Sequence, residues 1–305
     1  MKTALRSTQP SWVTHLTLLI LVFVFVGIGG LPIQAQKKKS RPPAGTVLSK
    51  DIVFAEADGI ELKLDIYRPV QKSEAPLPVV LWIHGGGWLK GSKDNCKAAF
   101  LAQHDFAVVS VGYRLTTVAQ WPAQIEDCYT AVRWVRENAD TYGFDPDRIG
   151  AWGGSAGAHL AAILGTRPAG KEKTSSRVQA VCDWYGPTDL LTMPPNVVSE
   201  KRTKEQVAQS NGAKLLGAPV PDIPEKAKDA SAFYHVTKDD PPFLIMHGSA
   251  DPGVPVTQSQ RFHDALKKAG VASELVILEG AGHGGKEFQT QEVKETVRNF
   301  FEENL

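Results

Sequence analysis

The stretch IGAWGGSAGAHLAAILG, Ile149 to Gly165, restricts the fold of this 305-residue chain more than any other. An apolar run leads into Gly153, Gly154, Ser155, Ala156 and Gly157, and an alanine-rich run leads out of them. A serine set among residues with almost no side chain needs a physical reason. An apolar strand that turns abruptly into a helix supplies one, because a side chain at either end of such a turn would collide with the neighbouring strand or helix. Ser155 is then the one functional group the turn presents.

From residue 50 onward strand-like and helix-like segments alternate, the pattern of a mostly parallel sheet covered by helices. The first two strands, DIVFAEA and IELKLDIYRP, are separated by DG in a hairpin position. In PLPVVLWIHGGGW the run Val79 to Ile83 is apolar on both faces, which suits a buried central strand. Phe106 to Leu115, DRIGAWGGS, VQAVCDWYGP, PPFLIMHGSAD and SELVILEGAGHGG continue the series of strands. Pro122, tolerated at a first helical position, opens a helical pattern to about Asn138, and Val256 to Ala269 and about Lys286 to Glu302 read as further helices. Between Gly186 and Asp240 the alternation lapses into a proline-interrupted segment containing the mixed-charge helical piece SEKRTKEQVAQ, longer than an ordinary connection. Residues 187–240 are therefore read as a small insertion over the C-terminal edge of the sheet, where ligands bind in open α/β folds, and as a candidate lid. The expected fold class is α/β, one mostly parallel central sheet flanked by helices, in a single domain over residues 50–305.

Residues 1–35 are set apart from the fold. Lys2 and Arg6 precede the uncharged apolar run Leu16 to Ile28 and then GGLPIQAQ, the pattern of a secretory signal peptide, with cleavage expected after Ala35. A retained membrane anchor is the competing reading, and for it the run is short of the ~20 residues a spanning helix needs. Residues 36–49, which include KKKSRPP, read as a solvated linker. The expectation is a secreted or periplasmic protein with no membrane contact after cleavage. Without residues 1–35 the chain keeps 32 basic against 33 acidic residues, a formal charge of −1, so nothing in it asks for a nucleic acid or another polyanion. Three cysteines are an odd number, so at least one is unpaired. Cys128 and Cys182 lie in apolar patterns that suit buried free thiols, and a Cys96–Cys128 bridge stays open. No CxxC, HxxxH or HExxH spacing occurs, which leaves cysteine catalysis and zinc binding without support.

A serine hydroxyl is a poor nucleophile at neutral pH, so Ser155 needs a base to take its proton and a third group to orient that base. This turn resembles the nucleophile elbow of α/β hydrolases, and that resemblance implies an acid before the histidine in the chain. Of the eight histidines only His263 and His283 leave room for an acid before them and after the last-but-one strand. His263 falls inside the helical QSQRFHDALKKAG, whereas His283 sits in the glycine-rich loop EGAGHGG directly after an apolar strand. His283 is the expected base. Asp251 follows FLIMHGSA and precedes the turn PGVP, while Asp239 and Asp240 come before that strand and Asp264 sits on the next helix. Asp251 is the expected acid. Acyl transfer places negative charge on the former carbonyl oxygen, so donors must already point there. HGGGW, His84 to Trp88, follows a central strand and offers unhindered backbone N–H groups; the expected donors are those of Gly86, Gly87 and Ala156. His84 is expected to brace this loop, and Trp82, Trp134 and Trp152 to belong to the core. Trp88, Tyr113, Trp184 and Tyr185 fall near strand ends as pocket candidates.

HGGGW, GGSAGAHLA, HGSADPGVP and GAGHGG together resemble an α/β hydrolase of the esterase and lipase superfamily, over residues 50–303. They are similar to the branch of BD-FAE-type carbohydrate esterases, which includes feruloyl and acetylxylan esterases. The resemblance implies an α/β-hydrolase fold, a serine esterase with Ser155, Asp251 and His283 as triad, no metal or organic cofactor, and a small-molecule or carbohydrate ester as substrate. Gly154 departs from the hormone-sensitive-lipase group, which commonly carries an acid there. SAGAHLA also resembles the elbow of arylformamidases, which would imply amide cleavage, although those carry a bulkier residue where this chain has Gly87. A non-catalytic binding protein on the same fold is the reading from another class, and it predicts a broken triad or a filled glycine loop.

Overall fold

The computed structural model describes residues 41–167 and 172–305. The expected signal peptide and the first part of the expected linker lie outside them. Strand β1, Thr46–Ala57, starts inside the stretch read as linker and pairs antiparallel with β2, Ile60–Pro69. Between them Asp58 and Gly59 both adopt positive φ, 51° and 74°, the backbone that a two-residue hairpin loop requires. The remaining strands are β3, Leu77–Ile83; β4, Ala107–Val111; β5, Phe144–Gly154; β6, Ala180–Trp184; β7, Phe243–Gly248; and β8, Ser273–Leu278. They form one eight-stranded sheet in the order β1-β2-β4-β3-β5-β6-β7-β8. Only the β1–β2 and β2–β4 pairings are antiparallel; from β4 to β8 every pairing is parallel. The α/β fold expected from the alternation is the fold observed.

Both faces of the sheet are covered. Val79, Leu81 and Ile83 of β3 pack on one face with Val109, Ala151 and Ile245, and Val80 and Trp82 pack on the other with Trp152, Trp184 and Phe301. On that second face Trp152 lies edge-on to Trp82 and Trp184, with ring centroids 5.3 and 4.7 Å away. Cys96 packs against this tryptophan face while Cys128 is buried in the opposite one. The sheet between them rules out the bridge left open by the sequence, and all three thiols are free.

Helix limits differ from the sequence reading for local reasons. Pro122 stands at the N-cap of the Ala123–Glu137 helix, one residue before the position expected for it. The C-terminal helical stretch is broken at Thr290, whose extended backbone and side-chain bond to the Val293 N–H start a new helix, Gln291–Asn304, after the short turn Glu287–Gln289. In the 187–240 segment, SEKRTKEQVAQ is helical only over Lys204–Ala208, where Thr203 and Gln206 form a reciprocal capping box. The segment as a whole is a set of short helical turns between β6 and β7. No helix among the described residues is long and apolar enough to cross a membrane.

Candidate active site

β5 ends at Gly154 and the Ala156–Thr166 helix begins two residues later, leaving Ser155 alone at the corner with φ 57° and ψ −120°. Such a backbone is strained for a residue with a Cβ. Two neighbours explain why it holds. A Cβ on Gly153 would run into the Gly157 backbone, and a Cβ on Gly157 would run into the carbonyl of Ile83. The small residues let helix, corner and β3 close on one another, and the Ser155 N–H is fastened to the Trp184 carbonyl of β6 at 2.8 Å.

The loops after β7 and β8 bring the two other predicted residues to this corner. Ser155 Oγ lies 2.8 Å from His283 Nε2, and His283 Nδ1 lies 2.6 Å from Asp251 Oδ2. A carboxylate can only accept, so Nδ1 carries the hydrogen and Nε2 is left to accept the serine proton. Asp251 is shut off from solvent at its side chain. Burial by itself would raise its pKa, but hydrogen bonds from His247, His283 and the N–H groups of Val254 and Gly253 outweigh it and hold the carboxyl far below the usual range. His283 is steadied from the side by Tyr185, edge-on at 4.8 Å.

The glycine loop after β3 faces the same corner. Gly86 and Gly87 have positive φ, 118° and 62°, and with Ala156 they line the cleft that holds Ser155 and His283. The N–H groups of Gly86, Gly87 and Ala156 donate to no other group among the described residues. Three free donors beside the Ser155 hydroxyl can receive developing negative charge. His84 braces the loop, with Nδ1 2.8 Å from the Gly85 carbonyl and its ring stacked on Tyr113 at 4.3 Å. Burial pushes its pKa down, against the pull of the Gly85 bond.

Of the four aromatic pocket candidates, two are misplaced by the sequence reading. Trp184 is still paired in the ladder with Gly154 and Met246, so its ring enters the core. Tyr113 is buried with its hydroxyl on the His84 carbonyl at 2.9 Å. Trp88 is buried but forms part of the cleft wall, and Tyr185, one residue past the ladder with φ 48°, turns over the cleft. Trp82 and Trp152 are core residues as expected, and Trp134 is half-buried against Tyr142.

Three supporting residues escaped the sequence reading. His247, four residues before Asp251, is fully buried; its Nε2 lies 2.9 Å from the Val254 carbonyl and 3.4 Å from Asp251, and its Nδ1 lies 2.6 Å from Ser259 Oγ. His159, one helical turn after Ser155, accepts from Trp88 Nε1 at 3.2 Å and donates to the Ala230 carbonyl at 2.7 Å. Burial lowers its pKa to about 4, so it is neutral in this bridge. Lys93, in the segment that follows the glycine loop, is buried between Asp51 and Asp65 at 2.6 and 2.7 Å. The i, i+4 spacing of His159 from Ser155 and of His247 from Asp251 is the only signal the sequence held for the first two.

The cleft measures about 820 Å³. Its far wall comes from the 187–240 segment, including Leu190, Met193 and Asn211. Asn211 Nδ2 fills the space that a Cβ on Gly87 would take. Among the described residues no three His, Cys, Asp or Glu side chains gather in a way that could hold a metal ion.

Residues 64–266 match the BD-FAE family model. Among curated proteins the chain is 35% identical over 225 residues to Esterase LipQ of Mycobacterium tuberculosis, covering 70% of this chain and 52% of that protein. It spans about half the length of the curated relatives it matches. Among solved structures it is similar to a truncated carbohydrate esterase from gut microbiota, with TM-score 0.75 and 30% identity over 85% of this chain and 96% of that one. An acetyl ester-xyloside bifunctional hydrolase from Caldicellulosiruptor lactoaceticus aligns with TM-score 0.69 and 26% identity, over 84% of this chain and 96% of that one. A family match that takes in the Ser155 corner, the glycine loop and Asp251, on a sheet of this order, means that the chain belongs to the BD-FAE family of α/β hydrolases.

Proposed function

We propose that this protein is a carboxylic ester hydrolase that works through an acyl-enzyme on Ser155. The observation that carries the proposal is the unbroken row Ser155–His283–Asp251, at 2.8 and 2.6 Å, opening into a cleft beside three free backbone donors. Ser155 Oγ attacks the ester carbonyl carbon while its proton passes to His283 Nε2, and the oxygen that becomes negative is held by the N–H groups of Gly86, Gly87 and Ala156. Collapse breaks the bond to the alcohol oxygen, and His283 returns the proton to the leaving alcohol. Water then repeats the sequence on the acyl-enzyme, releasing the acid and restoring Ser155. Asp251 keeps His283 in the tautomer that can accept at Nε2.

Short acyl or aromatic acyl esters, with acetyl or feruloyl groups on carbohydrates among them, are the proposed substrates. The carbohydrate esterase and acetyl ester-xyloside hydrolase among the similar structures support this class. Export is proposed from Lys2, Arg6 and the apolar run Leu16 to Ile28; the N-terminal residue of the protein recovered outside the cytoplasm tests it, with Gln36 expected first.

The test of activity is the initial rate of para-nitrophenyl acetate hydrolysis. Ser155→Ala should abolish turnover with thermal unfolding almost unchanged, and Asp251→Asn should lower kcat by on the order of 10⁴ if the acid orients the base as in serine proteases. Full activity in Ser155→Ala would remove the assignment.

A further inference from the structure

The cleft around Ser155 has charge of one sign only. Lys90 and Lys97 reach its wall from the segment after β3, and Arg202 reaches it from the 187–240 segment. No Asp or Glu lines it. Lys93 lies between Asp51 and Asp65, Lys50 meets Asp94, and Arg114 meets both Asp127 and Asp58, whereas Lys201, Lys204 and Lys214 are unpaired among the described residues, like Arg202, but do not line the cleft. Among the described residues Lys90, Lys97 and Arg202 have no ion pair and no side-chain hydrogen bond, although acids and bases are nearly equal in number along the chain.

A concave wall of one sign focuses its field into the cavity and raises the local concentration of the opposite charge. An arginine fork left unpaired at such a wall matches a carboxylate, which accepts two parallel N–H bonds. The scissile group of an ester is neutral and does not need three cations. They bear on some other part of the molecule that carries it.

We infer that the ester this cleft takes carries a carboxylate near the scissile bond, so that the substrate class is an anionic ester. The inference rests on the reading of Ser155 as nucleophile. The carboxylate has two possible sources, the alcohol half, as in an acylated sugar acid, and the acyl half, as in a half-ester of a dicarboxylic acid. In either case it binds at the cationic wall and takes no part in the bond changes at Ser155.

Two matched pairs of esters separate the sources. With protein expressed from the whole sequence, kcat/KM is measured on para-acetoxybenzoate against para-acetoxybenzamide, and on ethyl hydrogen adipate against ethyl hexanoate. One pair should favour its anionic member by roughly five- to thirty-fold at low ionic strength, the size that three exposed charge pairs supply. The preference should shrink toward one in about 1 M salt, where the screening length falls to about 3 Å. Arg202→Glu and Lys97→Glu should each lower the ratio several-fold, and the rate on the neutral member reports that the chemistry is intact. Hydrolysis of the neutral esters with no anionic preference in either pair would overturn the inference and leave the hydrolase reading standing. The same holds for a preference that both charge reversals leave unchanged. Failure to turn over any of the four esters would overturn the hydrolase reading, and this inference with it.

Discussion

Asp183 and Asp251 are both hidden from solvent at their side chains, and their surroundings push them in opposite directions. Asp251 collects four donors, so the unfolded chain takes up its proton before the folded one does. Its stabilisation is complete above the unfolded value of ~4 and is lost as pH falls toward the folded one. Asp183 has one bonded partner, the Gly186 N–H on Oδ1, while Oδ2 has none. Burial raises its pKa to about 6, against the pull of Gly186 and His247. Here the folded chain takes up the proton first, so stability declines as pH rises from ~4 to about 6. Asp183→Asn should remove that decline, seen as a flatter dependence of Tm on pH over this interval and a higher Tm at pH 7. A Tm lowered at pH 7 would mean that the ionised carboxylate is needed where it stands. That Ser155, Asp251 and His283 meet was legible in the sequence because the strand-to-helix turn tolerates few residue types and the resemblance to α/β hydrolases restricts the chain order of acid and base. Tyr113 and Trp184 were not. Whether an aromatic at a strand end enters the core or the cleft depends on the residue at which the ladder stops, and Trp184 is the last paired residue of β6 while Tyr185 is the first beyond it.

At the scale of elements, the site depends on bonds that join the elbow helix, the glycine loop and the 187–240 segment. His159 makes two of them, to Trp88 and Ala230. Trp121 adds bonds to the Leu215 carbonyl and to Asp229, and Gln258 holds the N–H groups of Thr188 and Asp189. His159→Leu leaves the Trp88 indole N–H and the Ala230 carbonyl buried without partners, at about 1–3 kcal/mol each. Thermal unfolding should therefore fall by several degrees, and kcat/KM on para-nitrophenyl acetate should fall as Trp88 loosens beside Gly87. An unchanged Tm would show that the bridge is dispensable. Because His159 is neutral down to about pH 4, its contribution in the wild type weakens as pH drops below the usual histidine value toward 4, where the unfolded chain binds the proton more readily. The sequence placed the 187–240 segment over the strand ends from its prolines and its length alone. It overstated the helix there, because the charge pattern of SEKRTKEQVAQ does not mark where a cap such as Thr203 must start the helix.

Across the whole molecule, alternation of strand and helix made the parallel sheet legible, but not the exchange of β3 and β4 that sets the order β2-β4-β3-β5. That exchange is a long-range pairing with no local trace. It places the β3 loop next to β5, and so the glycines next to Ser155. The sheet also separates two cores, with Cys128 in one and Cys182 in the other, both fully buried. Every sheet strand from β3 to β7 contributes to both cores, so the two should be lost together. The two thiols are expected to react with a maleimide at equal rates in mild guanidinium, read by mass spectrometry of labelled peptides. Unequal rates would show that one face opens while the other holds. The placement of the chemistry has a further consequence for how such a protein can change. Ser155, Asp251 and His283 are held at the ends of β5, β7 and β8, whereas the opposite wall of the cleft is a detour of the chain between β6 and β7. The detour is therefore an exchangeable part: a different segment that met the same anchors at His159, Trp121 and Gln258 would give the proposed triad a new selectivity, as a lathe takes a new tool without a new spindle.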